Sequence, residues 1–224
     1  SIQAFPEHQR RAFCIFEYIY FSRPDSKIFG ENVDKVRRKL GKLLAQQSPV
    51  KPEDEDDRVV VISVPDSSNT ATLGFVRESN KMGEDVRLEI GLIRSHYVGR
   101  TFIMPDQSER TTNVMLKLNP LKSILKDQRV VLVDDSIVRG TTIRQIVQIV
   151  RNAGAKEVHV RVGSPPIRAP CYFGIDMKTR EEFAATGRTI EQIGKMITAD
   201  SLGYLSVEGL VDAIGLPASD LCLG

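Results

Sequence analysis

The chain has 224 residues, enough at about 150 residues per domain for one large domain, or one domain with an appendage, around a substantial core. Its 31 Lys and Arg against 29 Asp and Glu leave a net charge of +2, and 41% apolar with 27% charged residues is ordinary for a globular chain. Neither intrinsic disorder nor bulk electrostatic capture of nucleic acid is suggested. Three widely spread cysteines, Cys14, Cys171 and Cys222, fit a reducing compartment better than a disulfide framework. No apolar run approaches the ~18 residues that cross a bilayer, and the first residues carry no secretory pattern, so a cytoplasmic location is expected. The chain starts at Ser1 without an initiator Met, which is expected of a processed product or an excised fragment.

In chain order, the aromatic and β-branched stretch Cys14 to Phe21 predicts a buried strand stopped by Arg23-Pro24-Asp25-Ser26. From Val33 to Gln47 the residues Val36, Leu40, Leu43 and Leu44 recur at helical spacing, and Arg37, Arg38, Lys39 and Lys42 read as a solvated face. The acidic run Glu53 to Asp57 reads as a surface linker. Val59 to Val64 is a continuous apolar run, expected of a strand buried on both faces, and it ends in the loop-forming Pro65-Asp66-Ser67-Ser68-Asn69-Thr70. Further strands are expected near Leu88 to Ile93, at Arg129 to Val133 and at Glu157 to Val162, where His159 reads as structural. Helices separate them, the clearest being Thr141 to Asn152 with a stripe of Ile143, Ile146, Val147 and Val150, and Gly154 placed to stop it. The rhythm predicts a doubly wound α/β fold. The last quarter reads as two or three short helices, opened by capping boxes at Thr179 to Glu182 and Thr189 to Gln192. The expected organisation is an N-terminal strand and helix (1–58), a core (59–178) and a C-terminal helical segment (179–224).

The chemistry is concentrated in Val130 to Thr142. An apolar strand delivers Asp134 and Asp135 to the carboxyl edge of a sheet, where open α/β folds bind ligands. The loop that follows holds Ser136, Gly140, Thr141 and Thr142 and leads straight into a helix, so backbone N–H groups, hydroxyls and a helix dipole face an anion such as phosphate. The acids repel phosphate and want sugar hydroxyls or Mg²⁺ opposite them. The pattern asks for a sugar phosphate with vicinal hydroxyls. A mere cap and turn would put two charges at a buried sheet edge without a partner.

This stretch resembles the signature of the type I phosphoribosyltransferases, which bind phosphoribosyl pyrophosphate (PRPP). The resemblance implies that family's fold, an α/β architecture with a mostly parallel twisted sheet flanked by helices, here with a small helical C-terminal segment. It assigns Asp134 and Asp135 to ribose and Mg²⁺, and Ser136, Ile137, Val138, Arg139, Gly140, Thr141 and Thr142 to the 5-phosphate loop. The segments Phe13 to Ser26, Tyr97 to Ile103, Ser164 to Ile167 and Tyr172 to Asp176 are similar to the amidophosphoribosyltransferase family. That implies formation of 5-phosphoribosylamine and pyrophosphate from PRPP and ammonia, the opening step of purine biosynthesis, with no covalent nucleophile and no catalytic role for His8, His96 or His159.

By the same resemblance, Ser67 and Ser68 lie in the pyrophosphate loop, with Ser67 a Mg²⁺ contact; the residues alone also allow a serine turn after a strand. Arg94 to Phe102 matches a loop that closes over PRPP, making Arg94, Tyr97 and Arg100 catalytic candidates, Arg100 foremost. The chain has Arg94, Ser95 and His96 where the family usually reads Lys-Asn-Arg. From spacing alone the cysteines are small buried hydrophobes. The resemblance instead places Cys14, Cys171 and Cys222 at three of the four ligand positions of a [4Fe–4S] cluster, the fourth position following Gly224, so the ligand set is incomplete. The expected partners are PRPP, ammonia, purine nucleotide inhibitors in the same cradle, the glutaminase domain of the complete enzyme and further copies of the chain, with no nucleic acid or membrane. The chain itself lacks that domain's opening cysteine and is not expected to hydrolyse glutamine. Two rival readings are a PRPP-sensing regulatory module and a phosphoribosyltransferase that salvages bases. The absence of a helix-turn-helix sign in the first 60 residues weighs against the first, and the matches outside the signature against the second.

Overall fold

A computed structural model describes residues 11–52, 57, 59–95, 118–171 and 180–223. In chain order the described elements are β1 (Phe13–Cys14), a π-helical turn (Glu17–Phe21), the hairpin of β2 (Lys27–Ile28) and β3 (Glu31–Asn32), and α1 (Val33–Gln47). Next come β4 (Val59–Ser63), α2 (Asn69–Lys81), β5 (Val86–Leu88), β6 (Leu92–Arg94), β7 (Leu118–Pro120), α3 (Lys122–Leu125), β8 (Arg129–Asp134) and α4 (Thr141–Asn152). The chain closes with β9 (Glu157–Val162), α5 (Ile190–Met196), β10 (Ser201–Tyr204), α6 (Val207–Ile214) and β11 (Leu221–Cys222).

Five strands form a wholly parallel sheet in the order β10-β9-β8-β4-β5. From β4 the chain moves outward to β5, and from β8 it moves the other way to β9 and β10. The strand order therefore reverses between β4 and β8, which pair from Val59↔Arg129 to Ser63↔Val133. A doubly wound sheet opens a crevice at such a point, outside the strands' carboxyl ends.

The central strands are buried on both faces, as their unbroken apolar runs predict. Val60, Ile62, Val130, Leu132, Val158, Val160 and Val162 pack on one side with Ile143, Ile146, Val147 and Val150 of α4. Val59, Val61, Val131 and Val133 pack on the other with Val36, Leu40 and Leu44 of α1, Phe75 of α2 and Leu210 of α6. Helix α1 has the predicted bounds, α4 likewise, and Gly154 at φ +100° stops α4 as expected. The Thr189–Gln192 capping box is formed, whereas Thr179 lies outside the described residues.

Several expectations are corrected. The stretch Cys14 to Phe21 is not a strand beyond Cys14: Ile15, Tyr18 and Ile19 are buried at i, i+3 and i+4 while Tyr20 and Phe21 are exposed, a helical pattern that overrides β-propensity. Leu88 to Ile93 is two strands in different sheets, β5 in the main sheet and β6 in an antiparallel pair with β7. Arg37 is not on a solvated face; it is 3% exposed and donates through Nε to Tyr18 O (2.7 Å) and through Nη2 to Ser22 O (2.9 Å). Asp57 is not a surface linker residue, since its buried carboxylate meets Arg129 Nε at 2.8 Å. The last quarter adds to its helices β10, on the main sheet, and β11, parallel to β1 with Cys14 beside Cys222. As expected, His159 is structural, its ring held between Ser201 Oγ and Glu157 Oε2 at 2.9 Å each. Among the described residues no helix is long and apolar enough to cross a membrane.

Candidate functional site

The two central strands end side by side, and the loops leaving them build the site. Ser68, buried at the head of α2, donates from Oγ to Asp134 Oδ1 at 3.3 Å. The same Oδ1 accepts the backbone N–H of Asp135 at 2.9 Å, and Ser136 Oγ donates to Asp135 Oδ1 at 2.6 Å. Ser67 lies with Asp135, Arg37, Ile19 and Gly163 around a small recess. The sequence-predicted Ser67, Ser68, Asp134, Asp135 and Ser136 are thus brought together.

These acids are charged at a cost. Burial first, and then the charge of Asp135, push the Asp134 carboxyl up to about 8, against the weaker pull of the Asp135 N–H and Ser68. Burial also raises Asp135, opposed by Ser136, Ser67 and the Arg37 guanidinium. Two desolvated carboxylates in one place favour a bound cation. A divalent ion that takes carboxylate and neutral oxygen, as Mg²⁺ does, fits Asp134, Asp135 and the Ser67 hydroxyl.

The loop from Ser136 to Thr142 divides its labour. Ile137 is buried in the core and Val138 O accepts from Ala184 N at 2.7 Å, so these two fix the loop with backbone and packing. Arg139 is ion-paired with Glu182, which ties the loop to the C-terminal region. Gly140 sits at φ +81°, and a Cβ there would stand 2.7 Å from Met196 Cε, so glycine answers both conformation and space. It caps α4 without any side-chain hydrogen bond to the first turn, and Thr141 and Thr142 are exposed beside those N–H groups. An uncapped helix start with exposed hydroxyls offers hydrogen-bond donors that can meet an anion.

Arg94, half exposed, meets Asp66 of the β4–α2 loop at 3.6 Å, at the rim of this site. Tyr97, Arg100 and His96 lie outside the described residues, as does Tyr172 to Asp176. Cys14, Cys171 and Cys222 are brought together around one cavity of about 300 Å³, with Ile15, Phe16 and Ser164 among its other walls. Burial raises the Cys14 thiol. Among the described residues no group of three or more His, Cys, Asp or Glu side chains is arranged to hold a metal ion.

Sequence reasoning missed Arg37, Glu182 and Tyr204. Arg37 had a signal: it falls between Val33, Val36, Leu40 and Leu44, on the buried stripe of α1. Tyr204 had none, since its strand is short and its neighbour across the sheet is distant in sequence.

The phosphoribosyl transferase domain model matches residues 82–163. The chain is 57% identical over 212 residues to an amidophosphoribosyltransferase of Methanocaldococcus jannaschii, covering 95% of this chain and 42% of the relative. The corresponding protein of Archaeoglobus fulgidus is 56% identical over 206 residues, 92% of this chain and 43% of its own length. Among solved structures, the glutamine PRPP amidotransferase of Bacillus subtilis complexed with ADP and GMP superposes with a TM-score of 0.81 at 48% identity, over 95% of this chain and 44% of that one. A structure described as the allosteric regulatory enzyme of purine biosynthesis gives 0.84 at 47% identity, over 99% and 46%. The chain spans less than half the length of these relatives.

Proposed function

We propose that this chain, which belongs to the phosphoribosyltransferase family and is homologous to amidophosphoribosyltransferases along nearly its whole length, binds PRPP at the β4–β8 crevice and lets ammonia displace its pyrophosphate. The product is 5-phosphoribosylamine, the opening intermediate of purine synthesis. The observation that carries this reading is the convergence of the Ser67–Ser68 loop, the Asp134–Asp135 pair and the uncapped start of α4 on one sheet edge. They offer, in order, hydroxyls for pyrophosphate and metal, carboxylates for ribose hydroxyls and metal, and N–H groups for the 5-phosphate.

In this reading the nitrogen lone pair forms the C1–N bond as the C1–O bond breaks, pyrophosphate leaves with the electron pair, and the surplus ammonium proton passes to the leaving group or solvent. Asp134 and Asp135 fix the ribose through its hydroxyls and stand beside the positive charge that develops at C1. The N–H groups of Thr141 and Thr142 hold the 5-phosphate so that C1 is presented to the nucleophile. Mg²⁺ held by Asp134, Asp135 and Ser67 would neutralise charge on the departing pyrophosphate. Arg94, Tyr97 and Arg100 would have the closing role that the family resemblance gives them, Arg100 foremost; of the three only Arg94 lies among the described residues.

Ammonia comes from glutamine through the glutaminase domain of the complete enzyme, and purine nucleotides inhibit by occupying the same cradle; the ADP and GMP in the Bacillus subtilis structure support nucleotide binding. The enzyme is cytoplasmic and assembles from several copies; the core expected of residues 59–178 also draws on α1 from 1–58 and on β10 and α6 from 179–224. Cys14, Cys171 and Cys222 supply three thiols at one cavity where a [4Fe–4S] cluster takes four. The described residues alone do not make that ligand set, and no step is routed through it.

The test is pyrophosphate release from PRPP and Mg²⁺ with ammonium, with glutamine and with free bases. Release with ammonium, lost in Asp134→Asn and Asp135→Asn, bears the reading out. Binding of PRPP without release under any condition points to a sensor, and release with bases alone points to salvage.

A further inference from the structure

The phenol of Tyr204 is buried at the end of β10, and among the described residues its oxygen has no hydrogen-bond partner. A buried unpaired hydroxyl is costly and calls for an explanation. The register supplies one. Asp134 of β8 is paired with Val162 of β9, and Val162 in turn with Tyr204 of β10, so the three form one lateral row across the sheet. Residues in such a row share a face, here the face on which Leu132, Val160 and Val162 pack against α4.

Strands lie about 4.8 Å apart, so the Asp134 and Tyr204 backbones are about two spacings, or roughly 9.6 Å, apart. Both side chains project from the same face of the sheet, with Val162 between them. The charge of Asp134 reaches the phenol. The two hydrogen bonds that Asp134 receives from Ser68 and from Asp135 N both fall on Oδ1. Its other oxygen is the one left to turn toward a ligand or toward the phenol.

We propose that Tyr204 is a positioning residue for Asp134 in sugar phosphate binding, its hydroxyl becoming a donor to that carboxylate, directly or through one water, when a ribose phosphate is bound. The assignment rests on the ribose phosphate reading of the site. With ligand bound, the hydroxyl fixes the rotamer of an acid that must meet ribose hydroxyls. Tyr204 touches neither substrate nor the reacting atoms.

The decisive variant is Tyr204→Phe, which removes one oxygen and leaves the packing. Thermal melting without ligand, and calorimetric titration with ribose 5-phosphate and with pyrophosphate in the presence of Mg²⁺, are measured on the whole chain beside Asp134→Asn. The expected result is a melting temperature equal to or above that of the parent, about tenfold weaker ribose 5-phosphate binding, and unchanged pyrophosphate binding. Unchanged ribose 5-phosphate binding in Tyr204→Phe, with binding lost in Asp134→Asn, overturns the role of Tyr204 and leaves the site reading standing. A lower melting temperature with both ligands weakened alike makes the phenol structural and also overturns it. Failure of the parent chain to bind ribose 5-phosphate overturns the site reading, and this assignment with it.

Discussion

Ser68 and Asp134 stand 66 positions apart in sequence and meet through one hydrogen bond, Ser68 Oγ to Asp134 Oδ1 at 3.3 Å. That contact joins the loop after one central strand to the end of its neighbour, across the point where the strand order reverses. The loop proposed for pyrophosphate and the acid proposed for ribose thereby become one surface, and the orientation of the acid depends on a residue that belongs to the other half of the site.

Replacing Ser68 by Ala removes this donor and leaves Asp134 Oδ1 with the Asp135 N–H alone. Hydrogen bonds to charged groups contribute about 1.5–3 kcal/mol, so PRPP binding in the presence of Mg²⁺ is expected to weaken roughly tenfold or more. Titration calorimetry measures it, and an unchanged constant would show that Asp134 is held without Ser68.

Gly140→Ala tests the loop proposed to hold the 5-phosphate. The position has φ +81°, which costs an L side chain about 1–2 kcal/mol, and the added methyl meets Met196 Cε at 2.7 Å. Met196 can swing aside, so the backbone strain is the lasting part. Urea denaturation is expected to show a loss of about 1–2 kcal/mol, with ribose 5-phosphate binding weakened as the N–H groups of Thr141 and Thr142 shift. Full stability with full binding would mean that the loop accepts a side chain there.

How much of this was legible depended on range. The Val130 to Thr142 stretch displayed its chemistry because strand, acids, loop and helix start are contiguous, and the bounds of α1 and α4 followed from local periodicity. Ile15, Tyr18 and Ile19 carried a helical spacing, but their aromatic and β-branched neighbours spoke for a strand, and packing against α1 decided the matter. The place of β10 beside β9 was invisible, because a four-residue strand announces itself only through its partner, and with it Tyr204 was missed. Arg37 was legible in spacing and misread in chemistry: a charged residue on a buried stripe is satisfied by carbonyls that no local pattern shows.

His159 sets a pH dependence of stability. Burial, followed by the charge of Arg161, lowers the imidazole below its ordinary value of 6.5, and Glu157, which partly offsets this, is shared with Arg129 at 2.9 Å. The folded protein therefore refuses a proton that the unfolded chain accepts. The contribution is complete above about pH 6.5 and is lost as the pH falls below it toward the folded value. Unfolding free energies from pH 8 to pH 5 are expected to fall more steeply for the parent than for His159→Gln; identical slopes would show that the ring titrates alike in both states.

Arg37 provides the strongest stability prediction. Its guanidinium is 3% exposed, burial lowers its pKa, and its donors satisfy the carbonyls of Tyr18 and Ser22, so one side chain pins the N-terminal turn onto α1. The Asp135 carboxylate is the largest favourable charge acting on it, which links the same turn to the candidate site. Buried ion pairs are often replaceable by apolar groups at little cost. Here the partners are backbone carbonyls that Met cannot pair, so Arg37→Met leaves two acceptors unsatisfied and is expected to cost about 2–4 kcal/mol in chemical denaturation. Lys keeps the charge but lacks the planar fork that reaches both carbonyls, and Arg37→Lys is expected to fall between the parent and Arg37→Met. If Met proved as stable as Arg, the turn would be held by the packing of Ile15, Tyr18 and Ile19 alone, and the carbonyls would have found water.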